Sequence, residues 1–379
     1  MELLKWIAVA GGIFLIVAAW GSLIHTLIVP RGLSSRLSTN VERVMNRLFL
    51  LAADRLSDYE AKDRLLAHLA PLSLLALLVT WLALFLAGFG LVLWRVTEFS
   101  FADALRASGS SLFTLGFLVP KDGSSTSIAF FASATGLVVI ALQIAYLPVL
   151  YQAFNRRETT VTTLESRAGA PAWGPEILTR HHAVGLIDNL PAFYAEWERW
   201  SAEVAESHTT YPILISFRSP HPLRHWVVGL LAVLDSAALY NALCPSTAPS
   251  EARLCLRMGF LTLRGIAQTI GVPYNADPMP GDPIELTFEE FAEGVERMRG
   301  PGFPMERTAE EAWPHFHGWR VNYEATAYAL CDRLLAVPGR WTGTRTHAPG
   351  IVIDTFTPID RRPEDPSGKN SGPATWKKR

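Results

Sequence analysis

Three uninterrupted apolar stretches constrain the fold of this chain more than any other feature. They cover residues 6–29, 69–94 and 127–154, and none of them contains Lys, Arg, Asp or Glu. A helix needs about 20 mostly apolar residues to cross the ~30 Å hydrocarbon layer of a bilayer. The first stretch is too long for the apolar core of a cleaved signal peptide, and no small-residue cleavage site follows it. We therefore predict three transmembrane helices.

The basic residues predict the orientation of these helices. Cytoplasmic loops carry an excess of Lys and Arg, and such residues are frequent after the first and third stretches but sparse between the second and third. We expect a multi-pass protein of the plasma or inner membrane, with its N-terminus outside and its C-terminal part in the cytoplasm. The basic residues of the first linker are Arg31, Arg36, Arg43, Arg47, Arg55, Lys62 and Arg64; those of the outer loop are Arg95, Arg106 and Lys121.

The linker of residues 31–67 has a helical pattern of its own. Val41, Val44, Leu48 and Leu51 have helical spacing against a charged face. We predict amphipathic helices lying on the cytoplasmic membrane surface, and a cytosolic hairpin is the alternative.

Residues 99–126 must return the chain from the second apolar stretch to the third. Phe101, Ala104, Leu105 and Ser108 follow at i, i+3, i+4 and i+7, which predicts a short helix over 101–112. Residues 114–118 come next, and we expect a near-extended path for them. Backbone outside a helix is tolerated at membrane depth only where it is buried in protein or lines a watery cavity. The pattern favours a re-entrant loop, and an ordinary extracellular loop is the alternative.

The sequence "ALRASGSSLFTLGF", residues 104–117, resembles the pore helix and selectivity filter of the potassium-channel-like superfamily. Thr114, Leu115, Gly116 and Phe117 match the T-V-G-Y of that family's filter. The resemblance implies a pore domain over 68–157, with an outer helix 69–94, a pore helix 101–112, a filter 114–118 and an inner helix 127–154. It also implies a homotetramer, in which filter carbonyls replace the water shell of a cation.

Two residues depart from that family's pattern. Leu118 stands where the second filter glycine is expected, and Val119 where Asp is frequent. The β-carbon of Leu118 disfavours the backbone geometry that a glycine accepts. We therefore expect relaxed selectivity for a monovalent cation, K⁺ or Na⁺. Ser110 and Ser111 are expected to donate hydrogen bonds that support the filter.

The inner helix carries three candidate gating residues. Gly136 lies 20 residues after Gly116, where the family's inner helix bends. Because small residues also allow close helix packing, hinge and packing roles stay open for Gly136. Gln143 is expected to face an aqueous cavity, and Pro148 to kink the helix near its cytoplasmic end.

The sequence predicts an α-helical regulatory or assembly domain for the C-terminal part, residues 158–356. A linker is predicted at 160–175 from its Gly, Pro and Ser/Thr content, and strand signals are few, the best being at 211–217 and 350–356. Residues 357–379 are predicted to be disordered. The whole chain is therefore predicted to be an all-α membrane protein with an α-helical cytoplasmic domain.

The cytoplasmic domain shows no motif for catalysis. It has no glycine-rich nucleotide-binding loop, and a formal net charge of −1 gives no sign of nucleic-acid binding. Its cysteines, Cys244, Cys255 and Cys331, are expected to be reduced and buried. Arg218, His221, Arg224 and His225 form a basic cluster that fits an anionic ligand, or else a solvated loop at the membrane.

The sequence therefore predicts a homotetrameric cation channel that binds the lipid bilayer and the permeant ion. No enzyme activity, cofactor or metal site is expected, and an unknown cytoplasmic ligand is compatible with the C-terminal domain. A non-conducting, membrane-anchored sensor or scaffold with a pore-like fold is the alternative.

Overall fold

The computed structural model describes residues 2–29, 35–118 and 122–343, and every regular element within these ranges is helical. The all-helical fold class is thus confirmed for these ranges. The chain divides into two compact units, residues 1–152 and 153–379. The strand predicted at 350–356, the tail 357–379, and the residues Arg31, Val119 and Lys121 lie outside the described residues.

The helices begin and end as follows. The first unit contains α1 (Glu2–Leu23, continued by a π-helical turn Ile24–Ile28), α2 (Arg36–Ala53), α3 (Tyr59–Leu66), α4 (Leu69–Val96), α5 (Phe101–Leu112) and the start of α6 (Gly123–Ala168). The second unit contains the end of α6 and then α7 (Gly174–Ala183), α8 (Leu190–Thr210), α9 (Trp226–Leu243), α10 (Ser250–Ile270), α11 (Phe288–Arg299), α12 (Ala309–Arg320) and α13 (Glu324–Arg333).

Four helical segments of the described chain are long and apolar enough to cross a bilayer, which indicates a membrane protein. They are Glu2–Ile28, Tyr59–Val96, Gly123–Ala168 and Trp226–Leu243. The fourth segment, α9, was not among the predicted spans. All of its residues are buried inside the second unit, where α7, α10, α12 and α13 pack around it. A helix that is apolar on all sides also suits the centre of a protein core, so this burial accounts for its composition.

Helices α1 and α4 pack against each other in antiparallel directions. A β-carbon on Gly12 would lie 2.6 Å from the carbonyl oxygen of Gly88, so the two backbones touch where neither has a side chain. Glu2 pairs with Arg95 at 3.2 Å near one end of this contact. Such small-residue crossings hold helices together in lipid. The N-terminal helix is therefore part of the first unit's packed structure.

Helix α2 is amphipathic, and only the beginning of its apolar face is covered. Its N-terminus is fixed by Ser35, whose Oγ accepts from the Ser38 N–H and lies 2.6 Å from the Ser22 Oγ of α1. Leu37 and Val41 pack against the core of the first unit. Farther along the same face, at steps of three and four residues, the side chains of Val44, Leu48 and Leu51 are exposed. The apolar face predicted for this linker is thus covered near its start and open toward its end.

Helix α6 begins earlier and ends later than the inner helix predicted at 127–154. It begins four residues before the predicted inner helix and runs without interruption through Pro148 to Ala168. The linker predicted at 160–175 is wrong for residues 160–168, because Val161 and Leu164 are buried near Gly229 of α9. The helix ends where Gly169 takes a φ of +78°, a backbone geometry that glycine adopts without strain.

The strand signal at 211–217 does not correspond to a strand. Residues Pro212–Ser216 form a 3₁₀ turn that follows α8. The apolar run itself is buried, since Ile213, Leu214 and Ile215 all lie in the interior. A strand needs a partner for its backbone groups, and here two carbonyls of this segment are bound by an arginine instead.

That arginine is Arg157, near the end of α6. Its side chain is buried and donates to the carbonyl oxygens of Leu214 at 2.9 Å and Phe217 at 2.7 Å. It also pairs with Glu158 and donates to Nε2 of His208 at 2.9 Å. Because arginine has no acceptor, this bond requires a His208 ring whose Nε2 is unprotonated. Arg157 thus holds parts of the second unit together. Its position just after the third apolar stretch had indicated only a basic residue near the membrane.

A second buried arginine lies beside α9. Arg320 donates to Asp235, to Glu324 at 2.8 Å, to the Tyr328 hydroxyl at 2.7 Å and to the Trp341 carbonyl at 3.0 Å. A buried charge is tolerated when it is paired and hydrogen-bonded throughout. This cluster links α9, α12 and α13 with the segment that follows them.

The three cysteines are buried and form no disulfide, as the sequence predicted. Burial raises the pKa of the Cys244 thiol to about 12, and it raises the pKa of Cys255 as well. Thiols in this state remain protonated at neutral pH and are poor nucleophiles.

We expect the second unit to lose stability as the pH falls below about 6.5, the ordinary pKa of histidine. Burial and the neighbouring Arg157 hold the pKa of His208 well below that value. The unfolded chain then takes up a proton at this position that the folded chain does not. Between the two pKa values, this single group lowers the free energy of unfolding by about 1.4 kcal/mol per pH unit. Thermal unfolding of the detergent-solubilised protein from pH 8 to pH 5 measures the effect.

The variant His208→Gln keeps a hydrogen-bond acceptor for Arg157 but does not titrate, so its stability should depend less on pH. His221→Gln, at an exposed histidine, is the control and should follow the unmodified protein. Equal pH dependence in all three proteins would contradict the assigned state of His208.

Candidate pore loop

Helix α5 begins with a side-chain cap and lies against α4. The Ser100 Oγ accepts from the Asp103 N–H at 3.2 Å, and the carboxylate of Asp103 lies in the first turn, where the helix dipole favours negative charge. On the buried side, the Ser108 hydroxyl donates to the Leu86 carbonyl at 2.8 Å. A β-carbon on Gly90 would lie 3.0 Å from Leu105. The close approach of α4 fixes the direction in which α5 points.

The carboxyl end of α5 is tied to the residues that follow it. The Ser110 carbonyl accepts from the Leu115 N–H at 2.8 Å, and the Ser111 carbonyl accepts from the Thr114 N–H at 2.9 Å. The Ser110 Oγ also accepts from the Leu118 N–H at 3.1 Å. Ser110 and Ser111 therefore contact residues 114–118, but through atoms that accept hydrogen bonds. The sequence had suggested that these serines donate.

Residues 114–118 turn rather than extend. Thr114 has a φ of +54° and Gly116 a φ of +72°, while Phe113, just before them, has a φ of −93°. A positive φ costs a residue with a β-carbon of the order of 1–3 kcal/mol, and such residues cluster at functional sites. The near-extended path expected for this segment is thus replaced by a turn. The hydrogen bonds to Ser110 and Ser111 offset the strain at Thr114.

Three large apolar side chains of the loop are exposed in the single chain. Leu115 and Phe117 are each 63% exposed, and Phe113 is exposed as well. Contiguous exposed apolar groups of this kind mark interaction surfaces. The loop is therefore bound to α5 through its backbone, while its side chains have little cover from the described chain.

Gly136 of α6 lies directly against the end of α5. A β-carbon at this position would overlap the carbonyl oxygen of Leu112. One turn earlier, the Ser133 hydroxyl donates to the Ser111 carbonyl at 2.8 Å. Of the two roles left open by the sequence, the geometry therefore gives Gly136 a packing role. Ser133 was not among the predicted site residues, although the run of small residues from Ala132 to Gly136 signalled close packing.

The other two candidate gating residues lie farther along α6. Gln143 is 7% exposed, so its own chain covers it. That position differs from the cavity-facing one expected, because a residue that lines a cavity between chains is exposed in a single chain. Pro148 lies inside α6 on its exposed side. The exposed face of this helix is apolar and includes Leu137 and Ile144.

Three of the four residues of the predicted basic cluster bind groups of their own chain. Arg218 donates to the carbonyl oxygens of Leu334 at 2.7 Å and Leu335 at 2.9 Å, which end α13. Arg224 pairs with Glu165 of α6. His225 is buried, and its Nδ1 accepts from the Val227 N–H at the start of α9. His221 alone is exposed. These basic groups bind their own chain rather than converging on a ligand.

The described residues contain no group of three or more His, Cys, Asp or Glu side chains that could hold a metal ion. Comparisons with protein-family models, curated proteins and solved structures find no match for this chain. The resemblance to the channel superfamily rests on the residues of the loop and its neighbours.

We expect Gly136→Ala to lower the stability of the detergent-solubilised protein by about 1–3 kcal/mol, the usual cost of overpacking a tight contact. A Gly136 that serves only as a helix hinge would give the opposite sign, because alanine stabilises a helix interior by roughly 0.5–1 kcal/mol relative to glycine. Melting temperature is the measurement. Gly123→Ala is the matched control, since no atom lies within 4 Å of its β-carbon position.

Hydrogen exchange of residues 108–118 provides a second measurement for the same variant. Exchange of these amides should accelerate in Gly136→Ala and remain unchanged in Gly123→Ala. An unchanged or higher melting temperature with normal protection would contradict the packing role.

Proposed function

We propose that the chain forms a homotetrameric channel for monovalent cations, K⁺ or Na⁺, with residues 114–118 as its filter. The observation that carries the proposal is the backbone of the loop. Thr114 and Gly116 take a positive φ directly after the carboxyl end of a short helix that lies between two helices of membrane-spanning length. A segment with this placement and strain fits a binding site better than a plain connection.

Electrostatics favours a cation beside this loop. The carboxyl end of a helix carries a partial negative charge from its aligned peptide dipoles, and residues 109–118 contain no charged side chain. Carbonyl dipoles in a low-dielectric surrounding stabilise a dehydrated cation without a carboxylate ring. In the proposed orientation, the N-terminus and the loop face the outside and the second unit lies in the cytoplasm.

The proposal requires several copies, because one loop cannot enclose a pore. Closed rotational symmetry would place each loop against its neighbours, and the family resemblance implies four. Burial of Phe113, Leu115 and Phe117, all exposed in the single chain, would supply favourable contacts for such an assembly.

Relaxed selectivity follows from Leu118. Its N–H is bound by the Ser110 Oγ, and its φ is not positive, so it does not reproduce the geometry of the glycine expected at this point. We therefore assign ion binding to Thr114, Leu115 and Gly116. The cytoplasmic unit would gate or assemble the pore by shifting populations when a cytoplasmic ligand binds one of its states better.

Cation flux into liposomes tests the proposal. We expect Gly116→Ala to reduce flux at least tenfold, because its φ of +72° strains any residue with a β-carbon. The matched control is Gly271→Ala at the end of α10. Gly271 has a φ of +71°, and like Gly116 it has no atom within 4 Å of its β-carbon position. Both variants therefore suffer the same backbone strain without a clash, and only the first should lose flux.

The number of copies separates the proposal from its alternatives. A tetramer that shows no flux at any membrane potential would support the membrane-anchored scaffold instead. A monomer or dimer, or equal loss of flux in the two glycine variants, would overturn the channel proposal. Reversal potentials in mixed K⁺ and Na⁺ salts then measure the selectivity.

A further inference from the structure

Helix α2 carries an apolar stripe that the first unit leaves open. Val44, Leu48 and Leu51 follow one another at steps of four and three residues, so their side chains lie on one side of the helix. Each of them is more than half exposed. Contiguous apolar side chains of this kind are unfavourable in water and mark contact surfaces. The stripe is therefore a contact surface of the first unit.

Three arginines border this stripe. Arg36, Arg43 and Arg47 stand at i, i+7 and i+11, which places them on one side of α2, and all three are exposed. Arg47 follows Val44 by three residues and precedes Leu51 by four, so the basic and the apolar side chains are neighbours. Among the described residues, no carboxylate pairs with these arginines.

The acid of α2 does not compensate these charges. Glu42 lies four residues after the buried Ser38, on the side of the helix that faces the protein. Burial there raises the pKa of its carboxyl group to about 7. Arg43 contacts Asn40, whose Oδ1 accepts a hydrogen bond at 3.4 Å, but this amide carries no charge. The exposed side of α2 is thus apolar along one stripe and bears only positive charge along the next.

The start of α2 lies close to the boundary of the hydrocarbon layer. Its cap, Ser35, contacts Ser22 of α1. Ser22 lies 20 residues after Glu2, the acid that pairs with Arg95 at the other end of α1. At 1.5 Å per residue, α1 rises about 30 Å between the two positions, which matches the thickness of the hydrocarbon layer. Because charged side chains are costly inside that layer, the Glu2–Arg95 pair marks one interface and α2 begins at the other.

Charge favours a lipid leaflet over another copy of α2 as the cover of this stripe. A leaflet that contains anionic phospholipids offers hydrocarbon beneath negatively charged phosphates, and a helix with adjacent apolar and basic stripes fits that order. Arginine can bind a phosphate through two parallel hydrogen bonds. A contact between two copies of α2 would instead place their arginines side by side, where like charges repel.

We propose that the apolar stripe of α2 inserts into the cytoplasmic leaflet and that Arg43 and Arg47 bind the headgroups of anionic phospholipids. The long arginine side chains reach the phosphates while the helix lies in the interface. The cytoplasmic side is that of the orientation proposed above. The site involves no residue of the loop 113–118, so it does not depend on ion conduction.

Native mass spectrometry in mild detergent tests the proposal with phosphatidylglycerol and phosphatidylcholine of identical acyl chains. We expect the unmodified protein to bind phosphatidylglycerol more tightly. In Arg43→Gln/Arg47→Gln this preference should fall roughly 25-fold, about fivefold for each arginine, because a basic residue at an anionic surface contributes about 1 kcal/mol. The matched control is Arg199→Gln/Arg333→Gln, which removes two exposed arginines of the second unit and changes the net charge equally. It should keep the preference.

Hydrogen exchange in nanodiscs tests the position of the helix. The amides of residues 43–53 should exchange more slowly in bilayers that contain phosphatidylglycerol than in pure phosphatidylcholine. Arg43→Gln/Arg47→Gln should lose this difference, and the control double variant should keep it.

The variant Leu48→Gln separates lipid from a second copy. We expect it to weaken phosphatidylglycerol binding and to keep the number of copies, which particle mass reports. Dissociation of oligomers with unchanged lipid binding would place another chain on the stripe and overturn the proposal.

Two further results would overturn it. The first is equal loss of preference in the two double variants, since net charge alone would then attract the lipid. The second is an unmodified protein that binds both lipids equally. Melting temperature shows that the variants fold. Absence of ion flux changes none of these results, so failure of the channel proposal is distinguishable from failure of this one.

Discussion

The geometry of the loop depends on one backbone contact, that between the Leu112 carbonyl and Gly136. The end of α5 can approach α6 this closely only because residue 136 has no β-carbon. The Ser133 hydroxyl then holds the neighbouring Ser111 carbonyl, and this carbonyl in turn accepts from the Thr114 N–H. The strained backbone at Thr114 is thus supported through a short chain of hydrogen bonds that starts on α6. A larger residue at 136 would act on the loop without touching it.

The second unit depends on a different principle, the satisfaction of buried charge. Arg157 and Arg320 are both almost fully buried, and each binds carbonyl oxygens as well as a carboxylate. Removing one partner of such a pair leaves an unpaired charge in the interior, which costs about 3–5 kcal/mol. Arg157 fixes the last turns of α6 to the segment after α8, and Arg320 fixes α12 to α9. The apolar side chains of α9 alone would not specify these neighbours, because they surround the helix on all sides; Asp235 supplies the specific partner for Arg320.

The features that follow from local pattern were predictable from the sequence. Apolar stretches located α1, α4 and α6, and the i, i+3, i+4, i+7 pattern gave the bounds that α5 has. Features that depend on tertiary contacts were not. Residues 160–168 read as a linker by composition, but burial of Val161 and Leu164 keeps them helical. Residues 211–217 have a strand pattern, yet Arg157 takes the carbonyls that a partner strand would have used.

The features of the candidate site also divide into those that the sequence marked and those that it did not. Small residues and glycines marked the positions of Gly116 and Gly136, because close approach and a positive φ both select glycine. The positive φ of Thr114 had no signal, since threonine rarely adopts it. In the basic cluster around Arg218, neighbours in sequence bind different parts of the fold, as Arg218 and Arg224 do, and the local pattern could not show this.

The burial of all three cysteines has a practical consequence for studying the loop. Their enclosed thiols give a background that water-soluble alkylating reagents hardly modify. A single cysteine introduced at an exposed loop position, such as Leu115 or Phe117, would then be the only reactive thiol in the folded protein. Its rate of labelling from either side of a membrane would report which compartment the loop faces, with no need to replace a native cysteine.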